Sequence, residues 1–407
     1  MAFKFFDSAS TTRCCDAATR VLRQFSDEDY GNPSSSHAMG EKASQAIRDA
    51  RQFFARYFQV QPDQVIFTGS GSESDNLAVC GVAMAAMAEP KHRPTDPAPM
   101  RVIASCIEHP AVKSAVESLK AFGFDVQFVK VDQDGKINEQ MLDEMLTPAT
   151  LLVSIMTVNN IVGSVQDIEG LAKKVKAKVP HAIFHTDAVQ AFGKVDIPRA
   201  PSAVDLVSIS GHKVYGPKGI GALIALNPTL MKTGRLRPLI WGGGQEGGWR
   251  SGTQNAGLIG GFHAAAAHMI ENRQHFQEHT ARLRDHFKKS LESRGLLTSD
   301  AKSPLHWNSP ADAVPHIVSL SLPGMPTGPL SKLLEERGCL VSTGSACSSK
   351  KAAPDHVLEC MGKDSCDTQS GLRVSFCSSN TLEEVDCLVT ALDDSIQRVH
   401  QLLSGNL

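Results

Sequence analysis

The chain has 407 residues, with 41 Lys and Arg against 43 Asp and Glu, a formal net charge of −2. A balance this near neutrality offers no electrostatic basis for holding nucleic acid or an anionic membrane, and no apolar run approaches the roughly 18 residues that cross a bilayer. The 42% hydrophobic and 21% charged content is that of a soluble globular protein long enough for two or three domains.

The N-terminus carries neither a basic segment followed by a long apolar core nor an Arg/Ser-rich presequence, so a cytoplasmic location is expected. Residues 1–12 end in a small polar loop, Asp7-Ser-Ala-Ser-Thr-Thr12, and a helix is predicted from about Asp16 to Phe25. Gly31-Asn-Pro-Ser-Ser-Ser-His37 reads as a turn whose serines cap the next helix, Ala38 to Phe58, where apolar residues recur at three- and four-residue spacing. Val65 to Thr68 is a strand. It runs into Gly69-Ser-Gly-Ser-Glu-Ser-Asp-Asn76 and then an Ala-rich helix. A strand, a Gly/Ser turn and a helix start together form an anion site, because free amides and the helix dipole favour a phosphate there. Ordinary helix capping would use the same residues.

After a proline-rich loop over 88–100, apolar strands at 102–105, 126–131, 151–158, 183–185, 206–209 and 220–226 alternate with helical stretches near 112–122, 137–146 and 168–179. This alternation predicts an α/β domain with a largely parallel sheet covered on both faces, and ligands in such sheets sit at strand ends. A polar-faced helix over 261–294 is expected to connect to a second, α+β domain. Its strands are predicted at 317–322, 340–342 and 372–376, and its last helix is opened by the capping box Thr381-Leu-Glu-Glu384.

The polar residues with chemical reach gather at the predicted strand ends: Glu108-His109, Asn159-Asn160, Asp187 with Gln190, and Ser210-Gly-His-Lys213. A lysine so placed suits a Schiff base with an aldehyde cofactor whose phosphate its neighbours hold, although an arbitrary lysine is more often a solvated loop residue. An anion at Asp187 would keep a pyridine nitrogen protonated and make the ring an electron sink. The glycine-rich loop Gly242 to Thr253 is either a hinge or a second approach to the phosphate. Arg373, on a short strand, is a natural clamp for an α-carboxylate or else a structural ion pair. The ten cysteines show no Cys-x-x-Cys spacing, so neither a zinc site nor a redox motif is expected. Cys80, Cys106, Cys339, Cys377 and Cys387 are read as small buried hydrophobes. Cys347 differs: it sits among small residues, Ser342-Thr-Gly-Ser-Ala-Cys-Ser-Ser349, ahead of Lys350 and Lys351, whose charge favours the thiolate.

Together these segments resemble the cysteine desulfurase and selenocysteine lyase family, class V aminotransferases that use pyridoxal 5'-phosphate. The resemblance covers nearly the whole chain. It rests on Gly-Asn-Pro-Ser-Ser (31–35), Thr-Gly-Ser-Gly-Ser-Glu-Ser-Asp-Asn (68–76), Glu-His (108–109), Val-Asn-Asn (158–160), His-Thr-Asp-Ala-Val-Gln (185–190), Ser-Gly-His-Lys (210–213), Arg-Ser-Gly-Thr (250–253) and Ser-Ala-Cys (345–347).

The resemblance implies a fold-type-I architecture, with a large domain over 13–262 built on a mostly parallel seven-stranded sheet. A small domain would comprise 1–12 and 263–407. It also implies roles. Lys213 would bond the cofactor and move the Cα proton; His109 would stack on the ring and assist proton transfer; Asp187 would pair with the ring nitrogen and Gln190 with the ring hydroxyl. Gly71, Ser72, Ser210 and His212 would hold the phosphate, with Thr253 arriving from the other subunit of a homodimer. Asn160 and Arg373 would orient L-cysteine or L-selenocysteine, and no metal is implied. Cys347 would take the substrate sulfur as a persulfide, leave alanine, and pass the sulfur to an acceptor such as an iron–sulfur scaffold or a tRNA-thiolation protein. Selenocysteine lyase, another class V aminotransferase and a non-catalytic assembly scaffold are the competing readings. Two departures stand out: Ile161 and Val162 follow Asn-Asn where the family usually has Glu, and Cys377 and Ser378 lie where Gly and Arg are common.

Overall fold

The computed structural model describes residues 3–94, 96, 98–300, 303–325, 327–343 and 354–403. The chain begins with a two-residue strand, β1 (Lys4–Phe5), then α1 (Asp16–Asp27) and α2 (Ala38–Phe58). Next come β2 (Val65–Thr68), α3 (Gly71–Ala88), β3 (Arg101–Ser105), α4 (Pro110–Ser118), β4 (Asp125–Val129), α5 (Glu139–Met145) and β5 (Thr150–Ser154). They are followed by α6 (Ile168–Lys178), β6 (Ile183–Asp187), β7 (Leu206–Ser210), β8 (Gly221–Ala225), α7 (Pro228–Lys232) and α8 (Ala256–Glu271). The remainder holds α9 (Arg273–Ser293), β9 (His306–Trp307), β10 (Ile317–Ser321), α10 (Thr327–Glu336), β11 (Cys339–Leu340) and β12 (Ser342–Thr343). It ends with α11 (His356–Cys360), α12 (Ser365–Gln369), β13 (Gly371–Ser375) and α13 (Leu382–Leu403).

Seven strands form one sheet in the order β2-β8-β7-β6-β5-β3-β4. All pairs are parallel except those of β8, which runs antiparallel to both neighbours. The sheet is therefore α/β and mostly parallel, as the alternation of apolar runs predicts. Consecutive strand residues point to opposite faces. Val102, Leu152, Ile183 and Leu206 meet α3 and α4 on one side, while Ile103, Val153, Phe184 and Val207 meet α2, α6 and α8 on the other. The second face carries an aromatic cluster in which Phe54 lies 4.7 Å from Phe262 and 5.8 Å from Phe67, and Phe192 stacks on Phe58 at 5.9 Å. The strand order turns back between β3 and β5, which opens a crevice at their carboxyl ends.

A separate apolar core joins Phe6, Leu283, Phe287, Leu291, Leu320, Val374 and the inner face of α13. The four-stranded sheet β12-β13-β10-β9 lies against it. Thr381 and Glu384 exchange both capping hydrogen bonds at the start of α13, at 3.2 and 3.3 Å.

Several local expectations are corrected. The helix expected over 261–294 is two helices that meet at Asn272, where the backbone leaves helical geometry (φ −101°, ψ 12°) and the side-chain amide donates to the His268 carbonyl at 2.8 Å alongside the Asn272 backbone N–H. The first of them is not polar-faced: Gly257, Gly260 and Gly261 let α8 close on α1, and a Cβ at Gly260 would stand 2.9 Å from Val21 Cγ1. The strand expected at 340–342 divides between two sheets, with β11 parallel to β1 and β12 antiparallel to β13. His37, not a serine, caps α2, its Nδ1 accepting from the Gly40 amide at 3.2 Å. Cys387 is exposed and Cys80 and Cys106 are half-buried; only Cys339 and Cys377 of that set are buried.

Candidate active site

A cavity of about 370 Å³ opens at the carboxyl ends of the central strands. Gly71 and Ser72 line it from the start of α3, His109 from the turn after β3, and Asn160 from the loop after β5. Asp187 and Gln190 enter from the end of β6, Ser210, His212 and Lys213 from the end of β7, and Arg373 from β13. Ten predicted residues thus converge from six separated stretches of chain. Thr253 does not join them in its own chain: it is exposed and lines a separate pocket with Phe67 and Arg250. Cys347 lies outside the described residues.

Local chemistry explains each position. Ser70 caps α3, its hydroxyl accepting from the Glu73 amide at 3.0 Å. Glu73 in turn accepts from the Gly69 amide at 2.8 Å and from Arg250 Nε at 2.9 Å. Capping is therefore carried by Ser70 and Glu73, leaving the first amides of the helix, at Gly71 and Ser72, for an anion. A Cβ at Gly71 would lie 2.8 Å from Val189 Cγ2 and 3.2 Å from Ser210 Cβ, so any side chain there would fill this cradle.

His109 caps α4 ahead of Pro110, its Nδ1 accepting from the Ala111 amide at 3.1 Å. That bond places the ring proton on Nε2. Burial, with Lys213, His356 and Arg373 nearby, pushes the imidazole down to about 4 and keeps it neutral. Asp187 accepts from the Val189 amide at 2.8 Å, and burial raises its carboxyl to about 6 although Lys213 acts the other way. Behind it His185 bridges Ser154 at 2.8 Å and Ser208 at 2.9 Å and is pushed down to about 3 by burial. Asn159 fixes the loop after β5, donating to the Ile107 carbonyl and accepting from the amides of Ile161 and Val162, so that Asn160 reaches the cavity.

Lys213 Nζ donates to the carbonyls of Ala9 and Ser10, both at 2.6 Å. Gln190 donates to the same Ala9 carbonyl at 2.8 Å, and its own Oε1 is buried without a partner. Arg373 reaches Asp7 at 2.7 Å and the Asn160 carbonyl at 2.9 Å, leaving Nε unpartnered. The ion pair expected as one of its two roles is present, with Asp7, and the same side chain lines the cavity. Sequence reasoning assigned no role to Asp7, Ala9, Ser10 or Asp75, all of which line the cavity. Asp75 sits within the Gly/Ser motif and could have been found there; the segment 7–10 carries only short polar and small side chains with no periodic signal. Ile161, the departure from the family pattern, is buried and also faces the cavity.

The site fits pyridoxal phosphate. An amide cradle closed to any Cβ, the buried and unpartnered Ser210 hydroxyl beside it, a buried carboxylate and a strand-end lysine supply a group for the phosphate, the ring nitrogen and the aldehyde. Fold and cavity together define a pyridoxal-phosphate enzyme of fold type I. The chain belongs to the aminotransferase class-V family, whose model matches residues 4–388, and members of that family use this cofactor.

Among its relatives, the putative cysteine desulfurase IscS 1 of Bacillus subtilis is 34% identical over 396 residues, 97% of this chain and 99% of that protein. The mitochondrial cysteine desulfurase of Saccharomyces cerevisiae is 34% identical over 400 residues, 98% of this chain and 76% of that one. Of solved structures, a NifS-like protein superposes with a TM-score of 0.86 at 33% identity, covering 97% of this chain and all of its own. One described as SspA in complex with cysteine gives 0.77 at 32% identity, covering 92% of this chain and 98% of its own.

Proposed function

We propose that this chain is a cysteine desulfurase that converts L-cysteine to L-alanine and transfers the sulfur to Cys347 as a persulfide. The observation that carries the reading is the convergence of Lys213, Asp187, His109 and the Gly71–Ser72 cradle on one cavity. Relatives named putative cysteine desulfurase and cysteine desulfurase, matched over 97% and 98% of this chain, support it.

When bound, pyridoxal phosphate withdraws electrons from the substrate Cα and so loosens its C–H bond and, in turn, the Cβ–S bond. The amides of Gly71 and Ser72, the Ser210 hydroxyl and His212 would hold the phosphate. Asp187 would pair with the ring nitrogen and Gln190 with the ring hydroxyl. Because Nδ1 of His109 is engaged and its ring neutral, this side chain offers a ring face and an Nε2 proton to donate. Moving the Cα proton therefore falls to Lys213. Asn160 and Arg373 would orient the substrate carboxylate. The Cys347 thiolate then attacks the substrate sulfur: an S–S bond forms as the Cβ–S bond breaks, and the carbon skeleton leaves as alanine.

The reading includes a homodimer in which Thr253 approaches the partner's phosphate site. The exposed Ile240 and Trp241 beside that loop favour such a contact. It also includes an acceptor protein that takes the persulfide sulfur toward iron–sulfur clusters or thiolated tRNA. The test is alanine release from L-cysteine and from L-selenocysteine, for the native chain and for Cys347→Ala. Alanine from cysteine that vanishes in the variant is the expected result. Turnover of selenocysteine alone would make the chain a selenocysteine lyase, and no alanine from either would overturn the reaction.

A further inference from the structure

The last residue of α11 meets the first residue beyond β3. Cys360 Sγ donates to the Cys106 carbonyl at 3.3 Å across 254 residues of sequence. The two thiols are near enough that each shifts the other's titration. Both are half-buried and free, and neither lines the substrate cavity.

The contact is held in place by its surroundings. Val357, Leu358 and Met361 are buried in the same apolar core as Ile103 and Ile107, and His356 Nε2 stands 3.3 Å from the Glu108 carbonyl. A buried apolar face on each side of a thiol pair fixes its approach better than surface loops could. The pair is also chemically unequal. Its contact with Cys360, reinforced by burial, pushes the Cys106 thiol up. The same contact, helped by the Lys113 ammonium, holds Cys360 below the ordinary thiol value. Cys360, with the Lys113 ammonium near it, is the member placed to attack first.

We propose that Cys106 and Cys360 form an oxidation site that closes reversibly to a disulfide and ties α11 to the end of β3. With a hydroperoxide, the Cys360 thiolate attacks one peroxide oxygen; the O–O bond breaks, hydroxide leaves and is protonated to water, and sulfur becomes a sulfenic acid. The Cys106 thiol then attacks that sulfur. The S–S bond forms, the S–O bond breaks, and its oxygen leaves as a second water carrying the Cys106 proton. The two sulfurs together lose two electrons, which the peroxide gains. A low-molecular-weight disulfide such as oxidised glutathione reaches the same state by two exchanges and releases two thiols. Cys106 lies three residues before His109, so the bond would link thiol oxidation to the wall of the cavity.

The experiment uses the cofactor-loaded full chain, reduced, freed of reductant and exposed to hydrogen peroxide or oxidised glutathione. Free thiols are alkylated before unfolding, and the digest is mapped by mass spectrometry without reductant. The expected result is a peptide carrying Cys106 joined to one carrying Cys360, released by dithiothreitol. In Cys360→Ser the link is lost and Cys106 is recovered alkylated. The exposed Cys366 and Cys387 report that the oxidant reached the protein. Recovery of Cys106 and Cys360 both alkylated while those two are oxidised would overturn the proposal, as would Cys360 joined to glutathione or to any other cysteine. The wild-type map decides the matter even if the variant does not fold.

Discussion

Glu108 is fully buried beside the cavity wall and offers a direct test of its electrostatics. Its Oε1 accepts from the Ser105 hydroxyl at 2.6 Å and the Met156 amide at 2.8 Å, while Oε2 is buried without a partner. Burial raises its carboxyl from 4.5 to about 8 despite those two hydrogen bonds, with Asp187 adding to the rise. A group raised in the folded state keeps a proton there that it loses when unfolded. Its stabilising contribution is complete below the unfolded pKa and is lost as pH climbs toward 8, at about 1.4 kcal/mol per pH unit. Glu108→Gln preserves shape and the acceptor oxygen but cannot ionise. The variant should therefore match the wild type near pH 5 and exceed it by about 4 kcal/mol near pH 8. For a chain this long that corresponds to on the order of 4 °C in Tm. Thermal unfolding of both proteins, in the same cofactor state and at one scan rate, reads the effect directly. A Tm difference that stays constant from pH 5 to 8 would show that Glu108 is ionised in the folded chain and would refute the reasoning.

Other perturbations test other parts of the site. Gly71→Ala places a methyl 2.8 Å from Val189 Cγ2; the overpacking should lower cofactor affinity about tenfold or more, measured by equilibrium dialysis with unchanged circular dichroism. Asp7→Asn leaves the buried Arg373 without its countercharge and should cost about 3 kcal/mol in urea unfolding. Added L-alanine, whose carboxylate can restore that charge, should stabilise the variant more than the wild type. Phe192→Ala empties the centre of the aromatic cluster around Phe54, Phe58 and Phe262 and should cost about 3–5 kcal/mol. A loss below about 1 kcal/mol would mean that the cluster collapses around the gap.

The parts of this protein written locally were legible before any coordinates. Apolar strands such as Leu206–Ser210 carry their burial in their composition, and Ser70 is a helix cap that can be found by type and spacing, whereas the caps His37 and His109 could not. Polar residues directly after apolar strands marked the carboxyl edge of the sheet, and Gly71, His109, Asp187 and Lys213 do line one cavity. What stayed hidden depends on distant pairing. Asp7 and Arg373 are 366 residues apart, and nothing in a segment of serine, alanine and threonine signals that its carbonyls will hold Lys213. The break at Asn272 was equally obscure, because helical periodicity continues on both sides of a single side-chain bond to a carbonyl. The Cys106–Cys360 contact needed the fold itself, since neither residue sits in a cysteine motif.

The segment that ties residues 8 and 9 to residues 375 and 376 has a bearing on how the protein is made. The Ser8 hydroxyl donates to the Phe376 carbonyl at 2.6 Å, and the Ala9 amide to Ser375 Oγ at 2.9 Å. Residues 8 and 9 are thus held in place by residues made 368 and 366 positions later. A ribosome-bound chain can complete the seven-stranded sheet while its opening segment still lacks the strand it leans on. Until β13 emerges, the two carbonyl partners of Lys213 are held only from the sheet side, by Gln190 and by the Thr12 bond to the His212 carbonyl. Maturation of the site is in this sense late: chains stalled before residue 371 should carry a folded sheet and yet fail to retain the cofactor.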